Sequence, residues 1–408
     1  MSTPSPSHFT LTSRSISATL SQPISSSLVA IRPQTVSIAE CCQQAFLNPL
    51  GFPELVRCVV PGDRVVLTVD PETVFAAEII ASVWEQLQTV PDGGVTLTLL
   101  FPEDHTGGGW QWLRDQLPLH VQQQIIVHVH NPADSSQISY IASSGGGERV
   151  YLNRLLSDAD LIITVGTIAF DSLLGFRGTS SLLFPAFSDA ATLQSSASQG
   201  HPELTPEQQR PFREFVDEVG WLLGTQFTVQ IVPGSSGWPA AILAGLPEDV
   251  MTRGRELVES LWRVNLEDLL EGVVVSIPGG AAFGWKQLGL ALEQASSIVQ
   301  QGGRIIVVAD LAVPDGPAST MLRRCQDPEE LLRPLRREPT HDSTEIAQLI
   351  QAQRRARIYL LSSLPAETVE EFGMIPVADS AELQRLVSSI KDCRVIPLAN
   401  FAWCEVKG

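Results

Sequence analysis

A histidine set among carboxylates and glycines, in Glu103-Asp-His105-Thr-Gly-Gly-Gly109, is the clearest acid–base candidate in the chain. A His beside carboxylates is held in one tautomer and titrates near neutral pH. The glycines after it let backbone approach a ligand; the same residues also suit a solvated loop. Asp70 closes an apolar run and is followed by Pro71, Glu72 and Thr73. It is placed to meet a ligand hydroxyl, or else to cap the next helix, with Thr73 the other capping candidate. Asp171 precedes Gly175 and reads as a general base or as a cap. Gly175, Gly178, Thr179, Ser180 and Ser181 read either as a turn whose amides bind an anion, with Arg177 adding charge, or as a tight connection capped by hydroxyls. Their spacing matches neither a Walker loop nor a dinucleotide fingerprint. Gln287 falls in the first helical turn after the loop Pro278 to Gly284, beside Trp285 and Lys286. His128 and His130 alternate on one strand, so they face opposite sides and cannot jointly chelate a metal.

These residues need a scaffold, and the apolar pattern describes one. Arg64 to Val69, Val95 to Leu100, Ile125 to His130, Leu161 to Val165 and Phe227 to Val232 read as buried strands. Ala76 to Leu87 and Pro211 to Leu223 have helical spacing between them. Glu248 to Leu270 reads as one long helix and as the hinge between domains. A second alternating set follows: Gly272 to Ile277, helix Trp285 to Gln300, then strands at Gly303 to Ala309, Arg357 to Leu361 and Arg394 to Leu398. The expected class is α/β, two domains with mostly parallel sheets and an interdomain cleft. The expected division is residues 1–270, carrying the ligand loops, and 271–408. Near the N-terminus, Phe9, Leu11, Ile16 and Ala18 suggest a β-ribbon. In such sheets ligands bind beyond the carboxyl ends of the strands. The loops at Asp70 to Thr73, Phe101 to Gly109, Thr167 to Ser181 and Pro278 to Gly284 therefore converge on one expected cleft.

Composition narrows the partners. A net charge of −18 argues against nucleic acid or an anionic membrane surface. No apolar run reaches the roughly 18 residues of a membrane span. The six cysteines include no CxxC pair and read as reduced thiols of a cytoplasmic protein.

Several short segments together resemble the nickel-dependent lactate racemases and their homologues. They are Asn48-Pro-Leu-Gly51, Pro61-Gly-Asp-Arg-Val65, Val150-Tyr-Leu-Asn-Arg154, Ala159-Asp-Leu-Ile162, the frame from Gly175 and Gly178 to Leu182-Leu-Phe-Pro185, Ala291-Leu-Glu-Gln-Ala295, Gly302-Gly303 and Ser362-Ser-Leu-Pro365. The resemblance implies a nickel-pincer nucleotide, a pyridinium mononucleotide carrying nickel that takes and returns the hydride of a 2-hydroxy acid. A 2-hydroxy acid or related alcohol is the implied partner, and a homo-oligomer is compatible with it. Residue by residue, the acid of the family's cofactor loop matches Asp70, and its arginine falls at Thr73. One catalytic histidine matches His105; the other falls at Asp171. The lysine that anchors the cofactor through a thioamide falls at Ser181, which has no amine. His201 is the candidate for the nickel histidine. The substrate glutamine matches Gln287, and the substrate lysine falls at Leu290. The resemblance thus implies cofactor contacts at Asp70, Pro71, Glu72, Thr73, Gly178 and Ser181. The leading reading is a racemase or epimerase with His105 and Asp171 as bases; the alternative is an inactive homologue acting as a small-molecule binding or regulatory protein, and a third is an enzyme with another metal or no cofactor that uses His105, Asp171 and His201 as its acid–base set.

Overall fold

The computed structural model describes residues 9–13, 16–20, 36–91, 94–105, 108, 110–196, 208, 210–234, 237–279 and 284–407. The chain divides into two compact units, Arg32–Val258 and a second made of Met1–Ile31 with Glu259–Gly408.

The expected ribbon forms: β1 (Phe9–Ser13) pairs antiparallel with β2 (Ile16–Leu20). Its place corrects the expected division at 270/271. Leu11, Ala18 and Leu20 bury against Val274, Ile306, Val308 and Val395, so the ribbon belongs to the unit holding the C-terminal residues. Burial of each of the two leucines is worth roughly 1.5–3 kcal/mol, which fixes the ribbon there.

The Arg32–Val258 unit is built on a sheet whose strands are apolar because both faces are covered. They are β3 (Arg64–Val69), β4 (Thr96–Phe101) and β5 (Ile126–Val129). A hairpin of β6 (Ile138–Ser143) and β7 (Arg149–Asn153) intervenes, antiparallel and not foreseen from the sequence. Next come β8 (Leu161–Thr167), the short hairpin β9 (Ala169–Asp171) and β10 (Gly175–Arg177), then β11 (Phe227–Pro233) and β12 (Pro239–Gly245). The sheet order is β12-β11-β8-β3-β4-β5. All neighbours are parallel except β12, which runs back along β11. One face packs on the helices Ile38–Leu47 and Ala76–Leu87 through Val65, Leu67 and Val69. The other packs on Leu183, Phe184 and the helix Pro211–Leu222 through Val66, Leu100 and Ile162.

The long helix expected from Glu248 to Leu270 spans Pro247–Trp262 and then stops. The chain turns extended at β13 (Arg263–Leu266), because Val264 and Leu266 bury on alternate positions of a strand. A five-stranded parallel sheet follows, ordered β17-β16-β15-β14-β18. Its strands are β14 (Leu270–Ser276), β15 (Val299–Val308), β16 (Ala356–Leu361), β17 (Ile375–Pro376) and β18 (Cys393–Ile396). The last strand, β19 (Trp403–Val406), pairs parallel with β13.

Candidate functional site

Three adjacent parallel strands, β8, β3 and β4, set the site in the Arg32–Val258 unit. Neighbouring strands lie about 4.8 Å apart, so the loops leaving their carboxyl ends start side by side. The β3 loop holds Asp70 to Thr73, the β4 loop holds Glu103 to His105, and the segment after β8 holds Asp171, Gly178 and Ser181. The Asp70 amide donates to the Val165 carbonyl at 2.9 Å, which joins the β3 end to β8. Strand order therefore starts, at neighbouring strand ends, the segments that carry eight of the expected positions: Asp70, Pro71, Glu72, Thr73, His105, Asp171, Gly178 and Ser181.

Their hydrogen bonds show what several of these side chains do. Asp70 accepts the Glu72 amide at its Oδ1, 3.0 Å away, and so shapes the turn after β3. Asp171 accepts two amides at its Oδ1, from Leu173 at 2.8 Å and Leu174 at 3.1 Å, and closes the β9–β10 turn. Ser181 is tied at both ends of its hydroxyl. Its Oγ accepts the Gly178 amide at 2.9 Å and donates to the Gly178 carbonyl at 3.0 Å. Gly178 needs its residue type: φ is +115°, and a Cβ there would lie 2.9 Å from Ile168 Cγ1 and 3.0 Å from Gln230 Oε1. His105 is exposed, with Nδ1 3.9 Å from a Glu103 carboxylate oxygen. The loop that carries it is fastened by Trp110, whose indole donates to the Pro102 carbonyl at 2.9 Å and whose amide meets Asp104 Oδ2 at 3.3 Å.

Two features of this edge were not foreseen. The first is backbone strain. Among described non-glycine residues, left-handed φ occurs at Phe75 (58°), Trp110 (58°), Thr179 (52°) and Leu398 (53°). The first three follow β3, β4 and β8. Each costs on the order of 1–3 kcal/mol and persists only where the surroundings impose it. The second is buried polar atoms without partners. Thr73 is 3% exposed, and its hydroxyl has no hydrogen-bond partner. Thr68 Oγ1 and Gln230 Oε1 are in the same condition. Thr68, Thr164 and Thr228 align in register across β3, β8 and β11. Thr164 and Thr228 share a 2.6 Å hydrogen bond, and Gln230 Nε2 donates to Thr228 Oγ1 at 2.6 Å. The available signal was a polar residue inside an otherwise apolar strand.

Other positions fall elsewhere. Gln287 lies in the second unit, fully buried on the helix Trp285–Ile298, and its Oε1 accepts from Asn400 Nδ2 at 2.8 Å. Leu290 is buried on the same helix, and Lys286 is exposed. His201 lies outside the described residues. His130 is a buried capping residue: its Nε2 meets the Ser188 carbonyl at 2.8 Å, and its Nδ1 meets Asn153 Nδ2 at 3.0 Å. Burial pushes its pKa below the ordinary histidine value, against the opposing pull of the Ser188 carbonyl and the Glu103 charge. Donation from Nε2 to the Ser188 carbonyl, with Nδ1 accepting from the Asn153 amide, is the pairing that suits the neutral ring. Burial lifts the Cys42 and Cys393 thiols to about 12, so they are inert at neutral pH. Among the described residues no three His, Cys, Asp or Glu side chains are grouped to hold a metal ion. No described helix is long and apolar enough to cross a membrane.

Comparison with known proteins agrees with this architecture. Residues 15–199 match the lactate racemase N-terminal domain. Over this stretch, somewhat under half of its length, the chain is similar to that domain. The fold is similar over its whole length to the lactate racemase apoprotein from Thermoanaerobacterium thermosaccharolyticum. That match has a TM-score of 0.80 at 18% identity, covering 98% of this chain and 100% of the other. A Thermotoga maritima protein of known crystal structure is similar at a TM-score of 0.67 and 15% identity, over 92% of this chain and all of that one. No curated protein matches the sequence. Both matches concern the fold, which this chain shares along nearly its whole length.

Proposed function

We propose that this protein is a small-molecule binding member of the lactate racemase family that works without a tethered cofactor. The observation that carries the reading is the Thr73 hydroxyl, buried and without a partner in the loop after β3. A buried hydroxyl left unmade costs roughly 1–3 kcal/mol, and a ligand hydroxyl or amine at this edge would recover it. The strained residues Phe75, Trp110 and Thr179, in the segments that follow β3, β4 and β8, fit a surface shaped for a ligand.

The resemblance implies a nickel-pincer nucleotide, and the residues present do not fit it as a tethered group. The tether needs an amine, whereas Ser181 offers a hydroxyl already closed on Gly178. The family arginine is replaced by Thr73 and the substrate lysine by Leu290. Both changes remove positive charge that a phosphate and a carboxylate require. The loops of this edge carry Asp70, Glu72, Glu103, Asp104 and Asp171, against Arg177 and His105. A carboxylate ligand meets repulsion there, and an uncharged or cationic hydroxylated ligand does not.

Three isosteres test this directly: lactate, propane-1,2-diol and 1-amino-2-propanol, each followed by thermal shift and calorimetry. The expected order has the amine tightest and lactate weakest. Tightest binding by lactate would overturn the charge argument. The racemase reading keeps one supporting observation, His105 beside Glu103 at a strand end. Co-expression with the enzymes that make the nickel cofactor, followed by assay on a panel of 2-hydroxy acids, decides between the two.

A further inference from the structure

A cavity lies in the Arg32–Val258 unit, between the helices Pro211–Leu222 and Pro247–Trp262, with a volume of about 480 Å³. That size is within the range of small-molecule sites. One helix presents Arg213, Asp217 and Trp221 to it, spaced as one helical face; the other presents Glu248, Met251, Thr252 and Arg255.

The two arginines differ. Arg213 is fully engaged: its guanidinium grips Asp217 at 2.6 and 2.8 Å and donates to the Phe176 carbonyl at 2.9 Å. Arg255 has its guanidinium stacked on the Phe176 ring, Cζ 4.8 Å from the centroid, and no described carboxylate pairs with it. A stacked guanidinium keeps its in-plane N–H groups free, which is the geometry that takes a carboxylate bidentately. Thr225 also lines the cavity; it is only 9% exposed, and its hydroxyl has no hydrogen-bond partner. Trp221 is 79% exposed, and with Leu246 and Met251 it supplies an apolar wall. An exposed indole on a helix flanking a cavity is suited to cover a flat ring.

We propose that this groove binds an aromatic carboxylate, with the carboxylate on Arg255 and the ring against Trp221. The groove is lined by none of the eight strand-end positions named above, and it meets the segment after β8 at Phe176, Thr179 and Ser180. It does not depend on the proposed function.

Benzoate is the probe, titrated into the full chain and followed by tryptophan fluorescence and by the indole N–H resonances. Saturable binding is expected, with the signal lost in Trp221→Phe. Arg255→Gln is expected to weaken binding about tenfold or more, the loss of one charged hydrogen-bonded pair. Benzamide, which keeps the ring and loses the charge, is expected to weaken it similarly on the unaltered protein. That arm keeps the test valid if Arg255→Gln disturbs the fold. Non-saturating quenching would overturn the proposal, as would equal affinity for benzamide and benzoate.

Discussion

Replacing Ser181 by Ala asks whether its hydroxyl closes the turn or stands ready for a ligand. The hydroxyl makes two bonds to one residue, accepting the Gly178 amide and donating to the Gly178 carbonyl. Each is worth about 1 kcal/mol net. Gly178 is buried, so its amide is left without water when the acceptor is removed. The combined loss is about 2–3 kcal/mol. In a unit of this size 1 kcal/mol moves Tm by about 2–4 °C, so the expected fall is about 4–12 °C. Thermal unfolding followed by circular dichroism and tryptophan fluorescence reads it. A change under about 1 °C would refute the reasoning, because the hydroxyl would then contribute nothing to the turn.

Other substitutions test neighbouring parts of the account. Asp171→Asn keeps an Oδ1 acceptor for Leu173 and Leu174 and is expected to leave urea stability within about 0.5 kcal/mol, while Asp171→Ala loses about 1–2 kcal/mol. Gly178→Ala forces a Cβ into Ile168 and Gln230 at a φ of +115°, so a loss of at least about 2 kcal/mol is expected, measured the same way. His130 has a depressed pKa in the folded chain, so below the ordinary value of 6.5 the unfolded chain binds the proton that the folded chain resists. Its contribution is full above pH 6.5 and is lost as pH falls through the lower folded value. Urea midpoints from pH 7.5 to 5 should therefore fall more steeply in the unaltered protein than in His130→Gln, and parallel curves would remove His130 from the acid response.

Much of the scaffold was legible because strong local patterns carried it. Ala76–Leu87 forms as a helix over the residues its periodicity marks, and β3 spans the apolar run Arg64–Val69. The ribbon of β1 and β2 was also readable, but not its home, since burial against Val274 and Ile306 is a contact between residues far apart in sequence. The helix read as running to Leu270 failed because strand-type alternation at Val264 and Leu266 is too short to stand out beside a strong helical stretch. At the candidate site, the adjacency of the strands whose loops carry Asp70, His105 and Asp171 is what alternating elements suggest. The local duties of Asp171 and Ser181 did not, because a carboxylate or hydroxyl in a turn looks the same in sequence whether it faces a ligand or an amide. The unpartnered Thr73 and the left-handed Phe75 and Trp110 are invisible without coordinates, since nothing in their residue types announces burial or strain.

The most direct test of the central claim is made on protein co-expressed with the nickel-cofactor biosynthesis enzymes. Its intact mass is measured, and L-lactate and other 2-hydroxy acids are assayed for racemisation. The account predicts the mass of the unmodified chain, 44.3 kDa, and no racemisation. A covalent adduct at Ser181, or racemisation that disappears in His105→Ala, would contradict it.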